Sequence, residues 1–192
     1  MKQGKKYVTL RRRDARDPMS DNPQSAIHNP QSKWFWFLAA PAILLMDYLT
    51  KIWAIDVLKA PRRSIEVIPG FFDFSYAENT GVAFGLFDSS LYAWKPYVLA
   101  ALAIVAIAAI VFYYHKSPGN RRLLHFALAL ATGGILGNLG DRIFRGYVVD
   151  FIEWHIRDSF YWPNFNIADS AICVGIALLM IDAIKNPDKK NN

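Results

Sequence analysis

Cysteine is nearly absent from this chain: Cys173 is the single one in 192 residues. One thiol closes no internal disulfide and builds no zinc site. Cys173 lies in the last apolar block, where burial raises a thiol pKa and blunts it as a nucleophile. It reads as a small packing residue, and a cysteine-protease reading would predict loss of activity in Cys173→Ala, which is expected to remain active. Histidine is scarce too. His28, His115, His125 and His155 show no ligand spacing, so neither a metal nor another cofactor is expected. No basic stripe is interleaved with aromatics on one face, so the net charge of +6 does not point to nucleic acid.

Charge is also missing from long stretches. The chain is 53% hydrophobic, and its apolar residues gather in blocks instead of recurring at helical or strand period. Four blocks have the roughly 20 residues that cross a hydrocarbon core. They run about Trp34 to Trp53, Trp94 to Tyr114, Leu123 to Ile143 and Phe165 to Ile184. The third is free of charge from Leu123 to Leu139 apart from His125. The expected fold is mostly α: four transmembrane helices, with a small extracytoplasmic β-sheet and a short interfacial helix.

Lysine and arginine set the direction. They cluster before the first block (Lys2, Lys5, Lys6, Arg11, Arg12, Arg13, Arg16, Lys33), between the second and third (Lys116, Arg121, Arg122), and in the tail (Lys185, Lys189, Lys190). In a four-span topology these regions share one side, which the positive-inside rule makes cytoplasmic. In the first loop, Lys59, Arg62 and Arg63 are balanced by Glu66, Asp73, Glu78 and Asp88. Both termini are therefore expected inside, with loops 54–93 and 144–164 outside. All six tryptophans fall at block ends or in loops, the depth that indole prefers.

Residues 1–33 are polar, rich in Asn, Pro and Gln, and read as a disordered basic cytoplasmic tail, with Met19 a second possible start. The first block is longer than a signal-peptide core and has no small-residue cleavage site before Asp47, so it reads as a retained anchor. Residues 34–184 form the membrane domain and 185–192 a C-terminal tail. In the first loop, Ile65-Glu66-Val67 and Phe72-Asp73-Phe74-Ser75-Tyr76 alternate around Pro69-Gly70, which predicts a hairpin. The aromatic connection containing Tyr147, Phe151, Trp154, Phe160, Tyr161 and Trp162 is expected to form the interfacial helix or a lid.

The polar residues inside this frame converge on one level. Asp47 and Lys51, then Asn138, Asp141 and Arg142, then Asp150, then Asn166 and Asp169, all fall at the outer ends of their blocks. Asn79 and Gly81 belong to the outer loop. Each has a plainer explanation. Asp47 and Lys51 make a self-neutralising i,i+4 pair with Lys51 snorkelling outward. Ala129, Gly133 and Gly137 form a small-residue row for helix packing. Gly81 permits a turn or a close approach. Asp141 pairs with its neighbour Arg142 or holds it in place. Asp169 caps a helix, and Asp150 is an ordinary loop acid. None of these explains the shared depth. Acids at membrane depth are functional candidates, and two brought together can share one proton.

The order of the phrases resembles one family. Asp47-Tyr48-Leu49-Thr50-Lys51, Asn79-Thr80-Gly81-Val82-Ala83-Phe84, Gly133 to Arg142, Val149-Asp150-Phe151, and Phe165-Asn166-Ile167-Ala168-Asp169 are similar to the motifs of the lipoprotein signal peptidases, or signal peptidase II. The resemblance covers about Trp34 to Ile184. It implies a membrane aspartyl endopeptidase that removes the signal peptide from diacylglyceryl-modified bacterial prolipoproteins, cutting before the lipidated cysteine. Asp150 and Asp169 would be the catalytic pair. Asn79, Gly81, Asn138, Arg142 and Asn166 would line or support the site, with Asp47 and Lys51 as structural support. The partners would be the lipid-modified substrate and membrane lipids, the protein would be monomeric, and its place would be the bacterial inner membrane with the active site on the outer face.

Two other readings compete. A proton channel needs polar groups through both halves of the bilayer, and here the inner halves are nearly all apolar. A scaffold binding a partner helix through the small-residue row would tolerate loss of the aspartates.

Overall fold

A computed structural model describes residues 37–60, 64–81 and 94–187. The basic segment 1–33, loop residues 82–93 with Val82, Ala83 and Phe84 of the outer-loop phrase, and the last five residues lie outside them.

Among the described residues four helices carry the architecture: α1 (Ala39–Leu58), α2 (Lys95–Lys116), α3 (Arg122–Phe144) and α4 (Ile167–Lys185). Four strands are inserted between them: β1 (Ile65–Ile68), β2 (Phe72–Asn79), β3 (Val148–Ile156) and β4 (Phe160–Tyr161). Helix α3 is central and buried along much of its length, whereas α2 presents most of its side chains outward.

Two expectations need correction. Among the described residues three helices, not four, are long and apolar enough to cross a membrane: α2, α3 and α4. The first helix begins at Ala39 and continues to Leu58, so its 20 residues carry Asp47, Lys51 and Asp56. Three charges are too many for a stretch whose insertion rests on hydropathy. Two of them, Asp47 and Lys51, are each 1% exposed, so packing against α3 supplies what lipid would not.

The interfacial helix is the second correction, because β3 and β4 occupy its place. Val148, Val149, Asp150 and Phe151 are four consecutive buried residues of one strand. A strand covered on both faces shows no alternation, and periodicity alone does not distinguish it from a helix.

The hairpin forms where Pro69-Gly70 breaks the alternation. Gly70 has φ +70°, in the left-handed region that glycine enters without penalty, and Phe71 N donates to Ile68 O at 3.0 Å. The sheet has order β1-β2-β3-β4, all antiparallel. Phe74 pairs with Ile152 but Ala77 with Asp150, so β2 carries one extra residue, a bulge that sets the register of its last residues against Val148–Asp150. The sheet caps the C-terminal end of α1: Ala54 and Leu58 pack with Val149 and Phe151, and Trp53 meets Phe74 edge-on at 5.2 Å. At the opposite end, Phe37 meets Tyr114, and Arg121 at the start of α3 pairs with Asp182 near the end of α4.

Glycines let the helices meet at backbone distance. A Cβ on Gly133 would lie 2.7 Å from Ala40 O of α1, and one on Gly134 only 2.3 Å from Ala168 O of α4. The packing role expected of the small-residue row holds at Gly133. At Gly137 the missing side chain makes room for the Asp47 carboxylate, whose Oδ2 would sit 2.5 Å from an added Cβ. Cys173 faces outward instead of packing inside.

Candidate active site

Asp150 enters the site from β3. Its side chain is 1% exposed, yet both oxygens have donors: Asn166 Nδ2 at 2.7 Å from Oδ1 and Asn79 Nδ2 at 2.9 Å from Oδ2. Asn79 is itself fixed, because its Oδ1 accepts from Gly81 N at 2.8 Å. Gly81 has φ +84°, a backbone conformation that favours glycine, so the turn requires it, whereas the nearest neighbour of an added Cβ is only the movable end of the Leu99 side chain. Burial pushes the Asp150 carboxyl up to about 7, against the lowering effect of Asn79 and with a further upward push from the charge of Asp169.

Asp169 arrives from the first turn of α4. It forms a capping box with Asn166: Asp169 N donates to Asn166 Oδ1 at 2.9 Å, and Asn166 N donates back to Asp169 Oδ2 at 3.3 Å. The helix-capping explanation is therefore true and incomplete. The remaining oxygen, Oδ1, accepts from Asn138 Nδ2 of α3 at 2.7 Å.

Asn166 joins the two acids, capping α4 with Asp169 while donating to Asp150. Main-chain pairing delivers it there. Ile152 N donates to Phe165 O at 2.9 Å and Phe165 N to Ile152 O at 3.1 Å, which zips residue 165 onto β3 just before the helix starts.

Beneath the acids lies a buried charge network. Lys51 Nζ contacts Asp47 Oδ2 at 2.7 Å, Asp141 Oδ2 at 2.9 Å and Asn138 Oδ1 at 3.0 Å, an acceptor for each of its three protons. The i,i+4 pair with Asp47 exists, but Lys51 points inward and does not snorkel, because these acceptors replace its hydration. Asp47 Oδ1 accepts from Ala168 N at 3.0 Å, tying α1 to the first turn of α4. Asp141 does not pair with Arg142. Its carboxylate takes Lys51, Arg145 and the Val149 N–H at 3.2 Å, one residue from Asp150. Arg142 donates to Asn138 O at 3.1 Å and lines a cavity of about 520 Å³ with Asn79, Gly81, Leu99, Asp150 and Asn164. The expected partner of Asp141 is corrected from Arg142 to Arg145, a residue the sequence reading does not single out. The i,i+4 spacing was the available signal, masked by the adjacent Arg142.

The named residues thus meet in one place, two acids above a layer of amides and a neutralising lysine. The chain from 39 to 185 matches the family model described as signal peptidase (SPase) II. The chain belongs to the signal peptidase II family. Its relatives include the lipoprotein signal peptidase of Alteromonas mediterranea, 40% identical over 157 residues that cover 82% of this chain and 84% of that one. The lipoprotein signal peptidase of Clostridium acetobutylicum is 40% identical over 77% of this chain and 92% of its own. Among solved structures, one described as a bacterial membrane enzyme obtained by the in meso method at 2.3 Å superposes with a TM-score of 0.67 at 32% identity. It covers 82% of this chain and 93% of the other. A second of the same description, at 1.9 Å, also gives 0.67 and 32%, covering 79% and 94%. Membership in signal peptidase II accounts for the apolar helices and makes the chain a polytopic membrane protein.

Proposed function

We propose that Asp150 and Asp169 act as one acid pair on a water molecule held between them. The chain is an aspartic endopeptidase of the signal peptidase II type. It removes the signal peptide from diacylglyceryl-modified bacterial prolipoproteins, cutting before the lipidated cysteine. The observation that supports the pair is Asn166, which hydrogen-bonds both carboxyl-bearing residues through one side chain.

One member of the pair removes a proton from water, which attacks the scissile carbonyl. The other hydrogen-bonds the carbonyl oxygen, and the pair returns a proton to the leaving amine. Asn79 and Asn138 hold one carboxyl each, and Asn166 spaces the two. Arg142 stands in the cavity wall beside Asp150, where its charge suits an oxygen that becomes negative as the carbonyl is attacked. Gly81 shapes the same wall, and Asp47 and Lys51 brace the layer beneath.

The orientation follows from charge. Lys116, Arg121, Arg122 and Lys185 gather at the end of the helices remote from the sheet, which favours placing that end in the cytoplasm. The acids and the sheet then face outward at the bilayer rim, where water reaches them while substrate acyl chains stay in hydrocarbon. Phe37 and Asn186, where the described chain enters and leaves, both belong to the basic end. One chain supplies every residue of the site, so a monomer suffices.

The test is to incubate purified protein with lipidated and unlipidated precursor, using the wild type, Asp150→Asn and Asp169→Asn. The wild type should cut only the lipidated form and neither variant should cut. A variant that cleaves at the normal rate refutes the pair.

A further inference from the structure

The two carboxyl groups stand in unequal surroundings. Asp169 is partly exposed and sits in the first turn of α4, where the helix presents the positive end of its dipole. Its two donors have fixed polarity. One is the backbone N–H of Asn166. The other is Nδ2 of Asn138, an amide held one way round because its Oδ1 accepts from Lys51 Nζ at 3.0 Å and from Asn166 Nδ2 at 3.2 Å.

Asp150 is buried in strand β3 and meets the N-terminal end of α4 only through the side chain of its N-cap residue, Asn166, instead of sitting in the helix's first turn. Its donors are two side-chain amides that are also held one way round, Asn79 by Gly81 N and Asn166 by Asp169 N, but Asn166 Nδ2 is shared with Val149 O and Asn138 Oδ1, each at 3.2 Å, so Asp150 has less of its donor to itself. The groups that bear on Asp150 are Asn79 from β2, Lys51 from α1, Arg142 from α3, and Asn166 and Asp169 from α4. In the cluster as a whole, Asp47, Asp141, Asp150 and Asp169 stand against Lys51, Arg142 and Arg145. Four acids against three cations leave one negative charge, and a single proton on the pair brings this largely enclosed cluster to neutrality.

We propose that the two acids have fixed resting roles: Asp169 is the carboxylate that takes the proton from water, and Asp150 carries the shared proton and hydrogen-bonds the scissile carbonyl. This rests on the reading of the two as the catalytic pair. The upward push that burial gives Asp150, to about 7, agrees with the assignment.

The step balances. Asp169 takes one proton from water as the water oxygen bonds to the carbonyl carbon, and Asp150 passes its proton to the carbonyl oxygen, giving a gem-diol. Asp169 then gives its proton to the nitrogen as the C–N bond breaks, and Asp150 recovers a proton from one diol hydroxyl. The products are an acid and an amine, and both aspartates return to their starting states.

Infrared spectroscopy of the protein in detergent reads the protonated carboxyl directly. In the wild type a protonated-carboxyl band should be present below neutral pH and disappear as pH rises through about 7. The band should be missing from Asp150→Asn and retained in Asp169→Asn, with circular dichroism confirming that both variants are folded. A wild type without such a band overturns the assignment, as does a band that survives in Asp150→Asn or vanishes from Asp169→Asn. Cleavage measured on the same preparations separates the two claims. If either variant cuts at the wild-type rate the pair itself fails, whereas inactive variants whose band follows Asp169 reject only the division of roles.

Discussion

Lys51 of α1 donates to the side-chain oxygen of Asn138 on α3 at 3.0 Å, and this contact decides which way the Asn138 amide faces. With its oxygen committed, the amide presents its NH₂ to Asp169. A buried ion network thereby reaches the candidate site: Lys51 neutralises Asp47 and Asp141 and orients the residue that holds Asp169.

Replacing Lys51 by Met should therefore be severe. Two buried carboxylates lose their shared cation, and breaking a buried pair from one side costs about 3–5 kcal/mol. Thermal unfolding in detergent should show a large fall in Tm, with cleavage lost. A Lys51→Met protein as stable as the wild type would mean that the network contributes little.

Helix spacing gives a second expectation. A Cβ at Gly134 would collide with Ala168 O at 2.3 Å, and Ala168 precedes Asp169. Overpacking of this kind costs about 1–3 kcal/mol, and the displaced first turn of α4 should lower kcat. Gly140 has nothing within 4 Å of an added Cβ. Gly140→Ala should be neutral or stabilising by up to about 1 kcal/mol, since alanine favours helix over glycine. Equal effects at the two positions would contradict the packing argument.

Asn79 offers a cleaner separation of chemistry from stability. It lies at the exposed end of β2, and its amide donates to Asp150 at 2.9 Å. Asn79→Ala should reduce kcat by about 2- to 10-fold, the worth of one hydrogen bond to a neutral carboxyl, while Tm changes little. An unchanged kcat would remove Asn79 from the site.

The pH dependence follows from Asp150. Its carboxyl is raised from an ordinary 3.8 to about 7 by burial, so the folded state holds a proton that the unfolded state releases. The stability this group contributes is fully present below its unfolded pKa and is lost as pH rises through about 7. Cleavage should decline over the same alkaline limb, because the pair loses its shared proton. A kcat/KM profile that stays flat from mildly acidic to clearly alkaline pH would exclude this.

The far end of the bundle should respond differently. Arg121 and Asp182 clamp the start of α3 to the end of α4, remote from the acids. Asp182→Asn should lower stability by about 1–3 kcal/mol with kcat per folded molecule unchanged. A loss of kcat at constant folded fraction would show that the clamp reaches the site.

Much of this was legible because its signals are local. Uncharged runs mark α2, α3 and α4, Pro69-Gly70 marks the hairpin, and motif order marks the family. Strand β3 was not legible, since burial on both faces erases the alternation that announces a strand. The inward course of Lys51 was hidden as well. Its acceptors include Asn138 and Asp141, about 90 residues away in the chain, and no spacing rule spans that gap.

The sequence by itself determined which segments avoid water and which side chains can exchange protons, because hydropathy and acidity belong to the residues. Only the tertiary structure decided that Asn166 reaches Asp150, that Asp141 holds Val149 instead of Arg142, and that one acid is more enclosed than the other. Those facts depend on the pairing of residue 165 with β3 and on glycines that let helices touch, and distances across the fold exist only once the chain has closed on itself.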